Sequence, residues 1–465
     1  MHTVGIIGGG FSGLMAAVHL TTSSQVPLQL YIVNAGNAFP RGVAYSTQAP
    51  WLLLNVRAQG MSAYPDKPLH FVEWLKMQPE YAGLPEEELR LAFIPRKTYG
   101  NYLDDIWKEL NLRLLQQHKH RVSVINDTIT GAEVIGNKVI LQSLVSGTIT
   151  VDRVLLATGH SAPSALPFQG SELSRSPMYF GNPWSRWEDN FTDKGGDAFI
   201  LGSGLTMVDV VQSLLRNNFK GTIYFNSRNG LLPLSHGDYL QTQFYSASDI
   251  KSPRLDDLVK LYQEEAAKYR ELGLPAFLAI DKFRPLTQQL WHGLTLSEKN
   301  YFLKHYKGYW NVRRHRIAKE INAVIQQALA SGKLKFVECR VSGVTTHADS
   351  LSVHFQQGDS PSLLPDITYF FNCTGPQESY RNSTNPLLNS LLQAGEVQPD
   401  CIDWGLDVAP SYACKKADGS ESKLFFATGC LIKGTYWETF AVPDLRLQVK
   451  QVCDTVLSNL PAESA

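Results

Sequence analysis

An α/β fold with two similar strand–turn–helix units and one inserted block of helices is the class this sequence predicts, on three observations. Residues 4–20 read VGIIGGGFSGLMAAVHL, an apolar strand, a glycine turn and an apolar helix. Residues 200–211, ILGSGLTMVDVV, repeat that pattern almost 200 residues later. Apolar strands ending in small residues, VDRVLLATGHSAP (151–163), ITYFFNCTGP (367–376) and KLFFATGCLIKG (423–434), supply crossovers between and after the two units. At 465 residues the chain is long enough for two or three domains.

The first unit is read from its spacing. Gly8, Gly10 and Gly13 stand in G-x-G-x-x-G order. The first glycine permits a tight turn, the second lets backbone approach a pyrophosphate, and the third lets helix and strand pack closely. Phe11 and Ser12 then open a helix whose N-terminal N–H groups and positive dipole end point at phosphate. These are the marks of a Rossmann-like dinucleotide-binding domain. A carboxylate normally closes the second strand about 20 residues on and holds the ribose hydroxyls. Here LQLYIVNAG ends at Asn34, which offers a carbonyl oxygen without charge. Hairpin strands are expected at 130–135 and 138–145 around Gly136 and Asn137. Thr158 and Gly159 end the first crossover strand, where the chain passes beneath a bound cofactor.

The second unit opens with Gly202 and Gly204, followed by Leu205 and Thr206, but Met207 takes the third glycine's place. Its next strand, GTIYFNSRNG, ends in Ser227 and Arg228 with no carboxylate. An arginine there favours the 2′-phosphate of NADPH, the alternative being a surface loop residue. Helical periodicity fills 240–331, which reads as a substrate-shaping cap or as a packing or dimer element. The expected domains are 1–165 and 345–465 for the first dinucleotide and 166–344 for the second, in a glutathione-reductase-like layout. Two dinucleotides in one chain mean an electron relay, from NADPH to a flavin, FAD, held by the first domain.

Composition narrows the partners. The net charge is +0 and hydrophobic residues make up 43%, so nothing electrostatic points to nucleic acid or an anionic membrane. The basic runs HKH (118–120) and RRHR (313–316) read as solvated helix faces. No apolar run reaches the about 18 residues that cross a bilayer. A strand begins by Val4, leaving no room for a signal peptide, so a cytoplasmic, soluble chain is expected. The six cysteines, Cys339, Cys373, Cys401, Cys414, Cys430 and Cys453, include no close pair, which leaves neither a zinc site nor the cysteine relay of a disulfide reductase.

The segments PRGVAYST (40–47), LLLNVRAQGMSAYPDKPLHFVEWL (52–75), FIPRKTYGNYL (93–103), SRNGLLPLSH (227–236), YWNVRRHR (309–316), NCTGP (372–376) and GTYWETFAVPDLRLQ (434–448) resemble the bacterial FAD/NAD(P)-binding oxidoreductases. That family is similar in layout to flavin-dependent N-hydroxylases and includes urate-hydroxylating FAD monooxygenases. The resemblance implies that Asn55, Met61 and Ser62 lie in a flavin-covering loop, although Met61 reads equally as core packing. It implies cofactor contacts for Arg41, Arg96, Gly375, Gly429 and Thr435, and a water-excluding role for Trp437 beside the ring. Tyr99 and Tyr102, at helical spacing from Arg96, read equally as core. Asn34, Arg57 and Met207 depart from the family pattern, and F-x-G-x-x-x-H survives only as Phe168 and Gly170, with Ser174 in the histidine position.

The activity this predicts is an NADPH-dependent FAD monooxygenase that uses molecular oxygen, through a flavin hydroperoxide, on a small polar metabolite. Two alternatives stand beside it: a flavin reductase or dehydrogenase without oxygen transfer, and a non-enzymatic dinucleotide-binding redox sensor. A homo-oligomer is compatible with each, and no metal site is expected.

Overall fold

The computed structural model describes residues 1–461 except Asn37, Gln169, Arg228, Asn229, 238–242 and Asp359. It divides into two compact units. Met1–Thr47, Val56–Ser161 and Gln377–Ala465 form the first, and Gln48–Asn55 with Ala162–Pro376 form the second.

In the first unit a six-stranded sheet runs in the order Ala413–Lys415, Glu421–Ala427, Arg153–Leu156, His2–Ile7, Leu28–Val33, Arg121–Ile125. All neighbours are parallel except the first pair. Strands covered on both faces read as continuous apolar runs, and Arg153–Leu156 is buried at every position. The helix Phe11–Ser23 lies along the C-terminal helix Val442–Ser458, where the Cys453 thiol meets the Ala16 carbonyl at 3.7 Å. A three-stranded antiparallel sheet, Ile129–Ile135, Lys138–Ser143 and Thr148–Val151, includes the expected hairpin. Gly5 makes room for it, since a Cβ there would sit 3.0 Å from Leu141 Cδ1.

The second unit repeats the plan. Its sheet runs Leu334–Phe336, Ile223–Asn226, Asp197–Leu201, Ser360–Asn372, Leu351–Gln357, Arg340–Thr346, and the short strand Tyr179–Phe180 joins beside Ser360–Asn372. The expected return to the first domain at residue 345 therefore moves to Gln377. The antiparallel strands 340–372 hang on Asp197–Leu201 through backbone pairing and cannot leave that sheet. The first boundary also falls earlier than expected, with Ala162 already in the second unit. Gln48–Asn55 belongs there as well, because Trp51 Nε1 donates to Ser213 Oγ at 3.2 Å.

Helices fill the described part of 240–331, but not as one block. Lys319–Ala330 is the crossover that lets Leu334–Phe336 pair parallel to Ile223–Asn226, so it belongs to the sheet. The insertion proper spans Leu255–Arg314. It is tied internally by Glu265, which takes Lys268 Nζ at 2.6 Å and Lys282 Nζ at 2.8 Å. Thr295 and Glu298 close a capping box at the start of Leu296–His305. The RRHR run corrects one expectation. Arg316 is buried, 2.5 Å from Asp281, rather than solvated.

Asp152 joins the strands at the base of the first unit. Its carboxylate accepts from Thr3 N at 2.7 Å and Thr3 Oγ1 at 2.8 Å, and pairs with Lys138 at 2.7 Å. Burial pushes its pKa up, but these donors outweigh that and hold it below the usual carboxylate value. A depressed folded pKa gives stability that is present above the ordinary carboxylate range and lost as pH falls through it. Asp152→Asn is expected to cost about 1–3 kcal/mol at neutral pH. Urea unfolding from pH 7 down to 3 should show the variant's deficit shrinking as the wild type protonates.

Candidate cofactor-binding site

The site in the first unit is built from backbone. Gly8 has φ +117°, and a Cβ on it would overlap the Ala157 carbonyl. A Cβ on Gly13 would overlap the Gly8 carbonyl, so helix and strand touch through their main chains. Gly10 caps the helix, Phe11 and Ser12 begin it, and its first N–H groups are left for a ligand. Gly42 closes the cradle from the side. It has φ +61°, and a Cβ there would lie 2.8 Å from Gly10 Cα.

Three side chains expected at the cofactor are engaged by the protein. Asn34 Oδ1 accepts the Gly9 N–H at 3.0 Å, and its Nδ2 donates to the Gly36 carbonyl at 2.8 Å. The residue therefore holds the glycine turn itself, and only one lone pair of Oδ1 remains for a ribose. Arg41 pairs with Asp104, with Nε 3.0 Å from Oδ2, and gives Nη2 to Asn101 Oδ1 at 2.9 Å, and Nη1 has no hydrogen-bond partner among the described residues. Ser62 is fully buried and spends its hydroxyl on the Lys67 carbonyl at 2.6 Å. Met61 is 2% exposed, which favours its packing role.

The loop bearing these residues meets the C-terminal helix. A Cβ on Gly60 would reach Pro443 at 3.9 Å, and Arg446 Nη1 donates to the Ser62 carbonyl at 3.3 Å. Beneath it, Arg96 is buried at the first position of Arg96–Gln117, followed by the fully buried Tyr99 and Tyr102. On the other flank, Gly429 has φ +70° and faces Ser12, whose Oγ would lie 3.8 Å from an added Cβ. Gln448 fixes that turn by accepting from Thr428 Oγ1 at 2.8 Å and Gly429 N at 2.7 Å. Thr158 and Gly159, φ +72°, follow Arg153–Leu156 as expected.

Beyond Gly429 the chain turns at Thr435, whose N–H meets the Ile432 carbonyl. Trp437 is 7% exposed and stacks on Trp404 with centroids 5.8 Å apart. Glu438 is buried in left-handed backbone, φ +63°, and Thr439 is fully buried with no hydrogen-bond partner for Oγ1 among the described residues.

In the second unit Gly202 repeats φ +117°, with the Cys373 carbonyl where an added Cβ would fall. Gly204 caps Leu205–Arg216, which opens with Leu205 and Thr206, and Met207 is fully buried behind the turn. Ser203 Oγ donates to the Leu231 carbonyl at 2.6 Å, drawing the following loop to the glycines. Ser227 Oγ has no hydrogen-bond partner among the described residues, and Arg228 lies outside them. Gly375, φ +96°, follows Ser360–Asn372. Asn55 belongs to this unit, and its carbonyl accepts His236 Nε2 at 3.2 Å. All six cysteines are free thiols, four of them buried. No helix among the described residues is long and apolar enough to cross a membrane.

Sequence reasoning missed Gly42, Asp104, Gln448 and Arg446. Gly42 sat in a quoted motif, but nothing local showed that it touches Gly10.

Residues 5–161 match the family model described as FAD-NAD(P)-binding. No curated protein matches the chain. Among solved structures it is similar to the ornithine hydroxylase of Pseudomonas aeruginosa, at 13% identity and TM-score 0.68 over 99% of this chain and 100% of that one. The ornithine N-hydroxylase of Kutzneria sp. 744, described with reduced FAD, NADP+ and L-ornithine, matches at 15% identity and TM-score 0.65, covering 98% and 99%. The bacillithiol disulfide reductase of Staphylococcus aureus matches at 12% identity and TM-score 0.56, covering 98% and 99%.

Two substitutions test the cradle. Gly42→Val is expected to yield colourless protein, since the side chain would enter the space of Gly10. Asn34→Asp keeps an acceptor for Gly9 but faces the Gly36 carbonyl with an oxygen, and should cost about 1–3 kcal/mol. Flavin content after purification and thermal unfolding measure both; full flavin loading in the two variants would remove the first turn as the FAD site.

Proposed function

We propose that this chain is an NADPH-dependent FAD monooxygenase that hydroxylates a small polar metabolite. The observation that carries the reading is the pair of glycine turns, one in each unit, with matching φ values at Gly8 and Gly202. The whole-length likeness to ornithine N-hydroxylases supports it. FAD fits the first unit because Gly8, Gly13, Gly42 and Gly429 clear the space that a pyrophosphate needs. NADPH fits the second because the strand Ile223–Asn226 runs into Ser227, whose hydroxyl has no protein partner among the described residues, and Arg228 follows it in sequence.

Bound flavin supplies the hydride acceptance and oxygen activation; the protein supplies position and dryness. The backbone N–H groups at the start of Phe11–Ser23 would hold phosphate, and the start of Val442–Ser458 would favour negative charge on the reduced ring. Trp437, stacked on Trp404, fills space with a rigid aromatic surface and keeps water out. The cysteine spacing favours oxygen over a disulfide as electron acceptor, because no two of the six stand as a close pair in the sequence.

The test is turnover under labelled oxygen gas with NADPH and a panel of amines, amino acids and purines. A product carrying one labelled oxygen atom supports the monooxygenase; NADPH oxidation that yields only peroxide with every candidate supports the reductase instead. Trp437→Ala should leave flavin content near wild type and raise the peroxide released per NADPH consumed. Ser227→Ala is expected to weaken NADPH roughly tenfold while sparing NADH, the loss of one hydrogen bond to a charged group.

A further inference from the structure

One carboxyl touches both segments that carry the stacked tryptophans of the first unit. Asp400 is 3% exposed, and its Oδ1 accepts the Ile402 N–H at 2.9 Å and the Trp404 N–H at 3.3 Å. It therefore shapes the loop that bears Trp404. Its Oδ2 lies against Gly434, where an added Cβ would overlap it. Gly434 stands three residues before Trp437, whose ring stacks on Trp404 with centroids 5.8 Å apart. Gly405 borders the same space: a Cβ there would lie 3.2 Å from Oδ2 and 2.5 Å from the Leu431 carbonyl oxygen. Two glycines from two segments thus make room for this one side chain.

The carboxyl is poorly placed to carry charge. Oδ2 is inaccessible and has no hydrogen-bond partner among the described residues. Burial pushes the group up to about 6 against the pull of its two N–H donors, and the charges of Asp407 and Asp403 act in the same direction as burial. Those two have partners of their own. Asp403 accepts from Tyr380 N, Arg381 N and Ser379 Oγ, and Asp407 pairs with Lys415. The other segments bring Tyr380, Cys430 and Lys433 to the cluster. Burial raises the Tyr380 phenol and takes the Cys430 thiol up to about 12, and Lys433 lies over the Trp404 ring, 5.1 Å from its centroid. A raised folded value means that the fold favours the neutral acid. That contribution is complete below the ordinary carboxylate range and is lost as pH rises through about 6. Above it, a charged oxygen without a donor gains by reaching water, and water reaches it only if the Gly434 turn or the loop 400–405 moves.

We propose that Asp400 is a positioning residue for Trp437: its neutral carboxyl lets the Gly434 turn close against the loop of Trp404, and its ionisation draws the two segments apart and loosens the tryptophan stack. The functional consequence rests on the reading of Trp437 as the surface that keeps water from the flavin. Water exclusion then depends on pH and is tightest on the acid side of the transition.

The experiment follows three quantities from pH 5 to 8 in wild type, Asp400→Asn and Trp437→Phe holoprotein: the near-ultraviolet circular dichroism of tryptophan, the melting temperature, and the peroxide released per NADPH oxidised. Asparagine keeps the shape and cannot ionise. The wild-type tryptophan band should change with a midpoint near pH 6, and the change should vanish in Asp400→Asn and in Trp437→Phe. Wild type should lose melting temperature relative to Asp400→Asn as pH rises. Its peroxide yield should at least double across the range, while that of Asp400→Asn stays at the low-pH value. A wild-type band with no transition overturns the proposal, and so does a transition that survives in Asp400→Asn or in Trp437→Phe. Should Asp400→Asn fail to fold, the wild-type band and its comparison with Trp437→Phe still decide. A tryptophan transition that behaves as expected beside a constant peroxide yield supports the role of the carboxyl and overturns the water-excluding role of Trp437, which separates the two failures.

Discussion

The contact between three stretches of main chain at Gly8, Gly13 and Ala157 sets the rest of the first unit. The Gly8 turn lies against the Ala157 carbonyl, and the helix crosses the Gly8 carbonyl at Gly13, so no side chain fits at either place. That closeness aims the helix N-terminus at the end of the sheet, where unpaired N–H groups and a positive dipole end converge. The other walls come from distant sequence and meet the same turn: Asn34 bonds Gly9, Gly42 packs on Gly10, and Gly429 faces Ser12 under the control of Gln448. A phosphate cradle made of amides needs no surplus of lysine or arginine. This is consistent with a chain of net charge +0.

The second unit solves the same problem with different closures. Gly202 has the φ of Gly8, but the carbonyl behind it is that of Cys373, from a strand 170 residues later. Met207 replaces the third glycine and is fully buried, so side-chain packing takes over from main-chain contact. Ser203 ties this turn to the loop at Leu231, whereas Asn34 pins the first. One cradle is braced on several sides by secondary structure, while the other leans on a loop.

Much of this was legible in the sequence, for a reason that also marks the limit. Glycine positions are set by backbone conformation, so Gly8, Gly10, Gly13, Gly202 and Gly204 could be read locally, with the strands and helices around them. Partnerships across the chain could not. Arg41 looked like a phosphate ligand until its partner Asp104 appeared 63 residues on. The alternation in 340–372 suits either sheet, and only the pairing of Ser360–Asn372 with Asp197–Leu201 decides between them. Trp51 pulls Gln48–Asn55 into the second unit through one hydrogen bond to Ser213, which no local pattern encodes. The crossover helix Lys319–Ala330 has the same periodicity as the inserted helices before it, and only the strand that follows shows its role.

Hydrogen-bond accounting then sorts the candidates that motif reading leaves equal. Ser62, Asn34 and most of Arg41 are satisfied by the protein, so their chemistry is spent on holding the loop, the turn and the flanking helix. The hydroxyls of Tyr99, Thr439 and Ser227 and the Arg446 Nε are inaccessible atoms that no described residue meets. Tyr99, Thr439 and Arg446 belong to the first unit, and Ser227 follows the strand Ile223–Asn226 in the second. Motif reading places both groups in the same quoted segments, and only their hydrogen bonds tell them apart. Sequence resemblance groups them together, and the unsatisfied atoms separate them.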